Sequence, residues 1–80
     1  MRLDKFLKVS RIIVRRSVAK MAAEGGHITI NGKVAKPSAE VEAGDLLTIE
    51  FGTSTRRIEV LDIKDHVKKD EADSLYKILD

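Results

Sequence analysis

A chain of 80 residues amounts to one domain, and a domain of that size hides only about 60 % of the surface its unfolded chain exposes, which leaves little room for a deep enzyme pocket. It has no cysteine, which excludes disulfides, thiolate zinc sites and cysteine nucleophiles and suits a reducing cytoplasm. The net charge of +2 conceals a segregation: residues 1–36 hold nine Lys or Arg against Asp4 and Glu24, while residues 37–80 hold six against eleven acids, so one cationic side is expected to face a polyanion.

The apolar run at the start is interrupted by Lys5, Lys8 and Arg11, and is therefore read as neither a signal peptide nor a membrane span. A soluble, cytoplasmic protein is expected. Leu3, Phe6, Leu7 and Ser10 recur at helical steps and predict a first helix over residues 2–10, with Asp4, Lys5, Lys8 and Arg11 on the opposite face. A second helix is predicted from residue 15 or 16 to residue 24. Val18, Ala19, Met21, Ala22 and Ala23 form its apolar arc, and Arg16, Lys20 and Glu24 stack four apart on its polar edge. Arg15 would fall inside the apolar arc, so it is expected at or before the first turn, reaching past the helix end. Gly25 and Gly26 then stop the helix.

His27 to Ile30 alternate as a strand, and Asn31-Gly32 supplies the tight turn of a hairpin whose return strand covers residues 33–36. Pro37 ends that strand because it has no amide hydrogen for a ladder. Residues 38–42 form a connection with Val41 tucked inward, and Gly44-Asp45 makes a turn. In Leu46–Phe51, Leu47, Ile49 and Phe51 share one face. A further strand is predicted over residues 56–64, with a change of parity near Val60 and Leu61 that marks a bulge or the end of regular pairing. After a polar linker over residues 66–69, Asp70 is placed as the cap of a last helix with Ala72, Leu75, Tyr76 and Leu79 on one face, packed on the sheet.

No nucleophile with a base, paired carboxylates or metal-ligand spacing stands out, so neither enzyme activity nor a cofactor or metal is expected. Gly25-Gly26 lacks the preceding strand and following Gly-Lys-Ser of a phosphate cradle. His27 is weighed evenly between a surface strand residue and an RNA contact. Phe6 and Phe51 fall on apolar faces, Tyr76 lies on the last helix and tryptophan is absent, so stacking on splayed bases is not expected. Arginine and lysine on two short rigid elements instead suit the phosphates of a structured RNA. The helix pair also fits a helix-turn-helix DNA-binding regulator, although alanines at positions 19, 22 and 23 supply no base-reading groups.

The ordered set of Arg2-Leu3-Asp4-Lys5, Arg16 followed by Ala19, the glycine stop, the strand closing in Asn31-Gly32-Lys33, and Gly44-Asp45 before another strand resembles the S-four RNA-binding domain over residues 1–50. One departure is Arg15, where many members carry a small hydroxyl residue that caps the helix. The resemblance implies an α+β fold: two N-terminal helices packed on a small, mainly antiparallel twisted sheet with a short C-terminal helix, the domain spanning residues 1–64 and a linker and helix spanning 65–80. It implies RNA contact by Arg2 and Arg16, to which the charge pattern adds Lys5, Lys8, Arg11, Arg15, Lys20, His27 and Lys33 as candidates.

The whole chain, including MRLDKFLKVSR and the ending from Glu71 through Leu79, is similar to the small ribosome-associated members of that family. This implies binding to the large ribosomal subunit obstructed by peptidyl-tRNA, contact with rRNA and tRNA, and support of tail elongation beside the quality-control elongation factor, as a monomer with no membrane partner. The alternative within the family is a heat-shock-type factor that recycles stalled large subunits. A third possibility is the RNA-binding appendage of a pseudouridine synthase without its catalytic domain.

Overall fold

The chain turns twice in quick succession after its second helix, and both turns rest on left-handed backbone. In the computed structural model, which describes residues 1–79, helix α1 spans Leu3–Val9 and helix α2 spans Arg16–Glu24. Strand β1 (Ile28–Ile30) follows, then β2 (Lys33–Val34), β3 (Leu46–Phe51), β4 (Ser54–Val60), a 3-10 helix η1 (Lys69–Leu75) and β5 (Tyr76–Ile78). Asp80, the last residue of the expected C-terminal segment, lies outside the described residues.

Gly26, with φ of 80°, ends α2 in a Schellman motif: the His27 amide donates to the Ala22 carbonyl and the Gly26 amide to that of Ala23, both at 3.1 Å. Asn31 and Gly32, with φ of 51° and 85°, then form the expected hairpin turn. The Asn31 side chain accepts the Leu46 amide at 2.9 Å and donates to Asp45 at 3.1 Å, which ties the turn to the start of β3. The five strands lie in the order β2-β1-β3-β4-β5, with every neighbouring pair antiparallel.

Both helices cover the sheet face that carries Ile28, Leu47, Ile49, Ile58 and Val60, and all five are fully buried. Leu3, Phe6 and Leu7 of α1, Ala19 and Ala23 of α2, and Ile13, Ala35, Val41 and Leu75 complete this core. The expected α+β architecture of helices on a small antiparallel sheet is present, and Val41 tucks inward as read. A second brace holds the N-terminus. The Leu3 and Asp4 amides donate to the Ala39 and Pro37 carbonyls at 2.8 and 3.1 Å, and the Val41 amide donates to the Met1 carbonyl at 2.8 Å.

Several local expectations change. Asp4, read onto the solvent face of α1, is 2 % exposed because it is turned toward two arginines, as described below. Val18 and Met21, assigned to the apolar arc of α2, are 46 and 69 % exposed: only Ala19 and Ala23 of the helix are buried, a stripe narrower than the arc. Phe51 shares the inward parity of Leu47 and Ile49 but is 42 % exposed, since residues 51–57 run out beyond the core and are all exposed.

The strands also differ at their ends. β1 starts at Ile28, with the His27 carbonyl accepting the Glu50 amide at 2.9 Å. β2 is shorter than the expected 33–36, although the Ala35 amide still reaches the Ile28 carbonyl at 2.9 Å. β4 begins earlier than expected and stops at Val60, where the parity changed. The last helix is a 3-10 turn capped by extended Lys68, with no side-chain cap from Asp70. Ala72 and Leu75, three apart, are its buried residues. Tyr76 to Ile78 pair with β4 instead of continuing the helix. The open edge of β4 offers backbone partners that a helix would leave unpaired, and a short apolar run fits period two as readily as 3.6.

Candidate nucleic-acid interface

Each helix is preceded by an arginine in extended conformation at its N-cap. Arg2 caps α1 with φ −64° and ψ 145°, and Arg15 caps α2 with φ −98° and ψ 122°; neither side chain makes a capping bond. Arg15 thus lies before the first turn, as its place on the helical wheel required, and Arg16 is the first helical residue.

Asp4 joins the two starts. The Arg2 Nε and Nη2 donate to Asp4 Oδ1 and Oδ2, both at 3.1 Å, and Arg16 Nη2 lies 3.4 Å from Oδ1. The Lys5 amide donates to the same carboxylate at 2.8 Å. Two guanidinium groups near the positive ends of two helices repel each other, and the buried carboxylate between them offsets that. Both arginine side chains nevertheless stay open to solvent, 50 % for Arg2 and 46 % for Arg16, and each guanidinium keeps donors that no other described residue takes.

Burial pushes the Asp4 carboxyl up, but the Arg2 hydrogen bond, the charges of Arg16 and Arg2 and the Lys5 amide together hold it below the ordinary aspartate value. A carboxyl depressed in the folded state contributes stability above its unfolded pKa and loses it as pH falls toward the folded value. Wild-type protein should therefore lose thermal stability below about pH 4, and Asp4→Asn should flatten that acid limb in a pH series of melting curves. Equal slopes for the two proteins would show that this carboxylate carries none of the acid sensitivity.

Two basic depressions meet at this clamp. One, of about 500 Å³, is lined by Arg2, Lys20 and Lys36 with Glu24, over Ala23 and Pro37. The other, of about 220 Å³, is lined by Lys5, Lys8, Arg11 and Arg16 of the helical segment and by Asp65 and His66. Asp65 Oδ1 pairs with Lys5 Nζ at 3.1 Å, and that lysine's hydrogen bond and charge lower the Asp65 carboxyl. Arg11 enters the second depression from a left-handed backbone with φ of 61°, a conformation that disfavours any side chain by about 1–2 kcal/mol relative to glycine.

Of the candidates read from the sequence, the fold thus gathers Arg2, Lys5, Lys8, Arg11, Arg16 and Lys20 around the clamp. Arg15 is exposed at the α2 cap, apart from both depressions. Lys33 lies along the β2 edge in a separate shallow groove with Lys36. His27 sits at the far end of α2, its Nδ1 3.5 Å from Glu50 Oε1. Lys36 and His66 were missed. Lys36 is two residues beyond β2, and only the hydrogen bonds between residues 37–39 and the N-terminus bring it beside Arg2; His66 arrives on a linker with no regular periodicity. Among the described residues no group of three or more His, Cys, Asp or Glu could hold a metal, and no helix is long and apolar enough to cross a membrane.

A pair of short helices whose basic starts share one buried carboxylate, backed by a small antiparallel sheet, defines an S4-type module. Residues 1–47 match the S4 domain, and the chain belongs to that family. It is 53 % identical to the "RQC P-site tRNA stabilizing factor" of Bacillus subtilis over 99 % of this chain and 92 % of that protein. It is 51 % identical to the protein of that name from Halalkalibacterium halodurans over 98 and 89 %. Among solved structures, a trimeric structure of Vibrio cholerae Heat Shock Protein 15 superimposes with a TM-score of 0.91 at 38 % identity, covering 99 % of this chain and 81 % of that one.

Proposed function

We propose that this protein is a non-catalytic RNA-binding factor of the large ribosomal subunit carrying peptidyl-tRNA. It contacts rRNA and tRNA and supports tail elongation in ribosome-associated quality control, acting in the cytoplasm as a monomer beside the elongation factor. The observation that carries this reading is the Arg2-Asp4-Arg16 clamp, which holds two half-exposed guanidinium forks at the junction of two basic depressions. Arginine forks grip phosphate through paired hydrogen bonds, and a rigid pair of them selects backbones by spacing and shape rather than by sequence. The near full-length likeness to proteins named as P-site tRNA stabilizing factors supplies the setting.

In this reading the protein makes and breaks no covalent bond. It holds a tRNA against rRNA by bridging two phosphate backbones, one at each depression, so that the tRNA stays in place while the chain is extended. The likeness to Heat Shock Protein 15 favours a second reading, in which the same grip serves the recycling of stalled subunits.

Density-gradient sedimentation with tagged protein tests the setting. Large subunits carrying peptidyl-tRNA should carry the protein down, and empty subunits should retain far less. Equal binding to both would remove the tRNA contact, and binding to neither would remove the ribosome. In a reconstituted elongation reaction, omission of the protein should shorten the tails; unchanged tails would leave the recycling reading.

A further inference from the structure

We propose that the groove between Phe51 and Arg56 holds one unpaired nucleobase of the bound RNA. The proposal rests on the RNA-binding reading above and extends it from phosphates to a base. The groove, about 550 Å³ in volume and open to solvent, is lined by Ile12, Phe51, Ser54, Thr55 and Arg56.

The strand register brings the ring and the cation together. Phe51 pairs with Ser54 and Ile49 with Arg56, so Phe51 and Arg56 leave the β3-β4 hairpin on the same face, as diagonal neighbours within reach of one another. It is the face that is core at Ile49 and Leu47, but here no helix covers it. Phe51 is 42 % exposed. Arg56 has no acidic partner among the described residues, and neither do the Ser54 and Thr55 hydroxyls have a side-chain hydrogen bond there.

A ring face, a free guanidinium and the Ser54 hydroxyl, which the register places on the same face, suit a base better than an apolar peptide. The ring stacks on the base, the guanidinium stacks or donates to base oxygens and N7, and the Ser54 hydroxyl donates or accepts at its edge. Continuity with the phosphate face supports the same occupant: Ile12, on the groove wall, directly follows Arg11, which lines the second basic depression.

The test compares two end-labelled RNA hairpins that differ only by a single unpaired nucleotide in the stem, with binding followed by fluorescence anisotropy. Wild type should prefer the hairpin with the unpaired nucleotide. Phe51→Leu, which keeps an apolar side chain but no flat face, should weaken binding to that hairpin about five- to twentyfold and leave the fully paired one unchanged, with an unaltered melting temperature. Phe51→Trp, which keeps the flat face, should retain the preference. Equal affinity of wild type for both hairpins would overturn the base site, as would a Phe51→Leu protein that keeps the preference and so returns this face to a protein contact. If the wild type bound neither hairpin, the RNA-binding reading itself would fall; binding with strong salt dependence but no effect at Phe51 would sink the base site alone.

Discussion

Raising the salt from about 50 to 200 mM should weaken RNA binding roughly 60- to 1,000-fold, corresponding to a slope of log affinity against log salt of about −3 to −5. The expectation follows from roughly four to six neutralised phosphates, because each neutralised phosphate releases most of one condensed counterion. The structure supplies the charges in two sets: Lys5, Lys8, Arg11 and Arg16 around one depression, Arg2, Lys20 and Lys36 around the other. Two acids intrude, Glu24 in the first-described depression and Asp65 paired with Lys5 in the second, and they keep the slope below a full count of the cations. Titrations at four or five salt concentrations give the slope directly. A slope near zero would mean a non-ionic interface and would undo the charge argument.

Arg16→Ala should cost about 1–3 kcal/mol of RNA affinity, the loss expected for one good charged contact. The side chain stands at the start of α2, where the helix end favours a phosphate and a guanidinium fork can hold two of its oxygens. Lys20 continues the same helix edge one turn on. Arg16→Lys should recover only part of the loss, because an ammonium is a point charge without the planar fork. Stability should change little. The Arg16 contact with the buried Asp4 is long, 3.4 Å, and without it the carboxylate keeps the two Arg2 hydrogen bonds, one to each oxygen, and the Lys5 amide. Binding and melting measured on the same variant separate the roles: full binding would remove Arg16 from the interface, and a collapse in melting temperature would make it a structural residue.

The clamp also sets what the two arginines do in common. Asp4 is buried and fixed by the Lys5 amide as well as by the Arg2 fork, so both guanidinium groups are drawn to one fixed carboxylate. Their spacing becomes a property of how α1 and α2 pack. Ala19 and Ala23, the buried residues of α2, therefore help to set the interface.

Where local chemistry dictates the outcome, the sequence alone was sufficient. The period of Leu3, Phe6 and Leu7, the Gly25-Gly26 stop, the Asn31-Gly32 turn and the alternation of Leu47 and Ile49 each depend on neighbours a few residues away, and each holds in the structure. The ordered motifs that carry the S4 resemblance are of the same kind, and so is the concentration of positive charge in residues 1–36. Tertiary structure decided the rest, because those features depend on groups far apart in the chain. Asp4 looked like one more polar residue of a helix face until Arg2 and Arg16 closed on it, and Lys36 joined Arg2 only through the hydrogen bonds of residues 37–39 to the N-terminus. Tyr76 to Ile78 had the spacing of a helix but met the open edge of β4, where backbone pairing prevailed. Phe51 had the parity of a core residue, yet whether it was covered depended on how far the helices extend over the sheet, and they stop short of it.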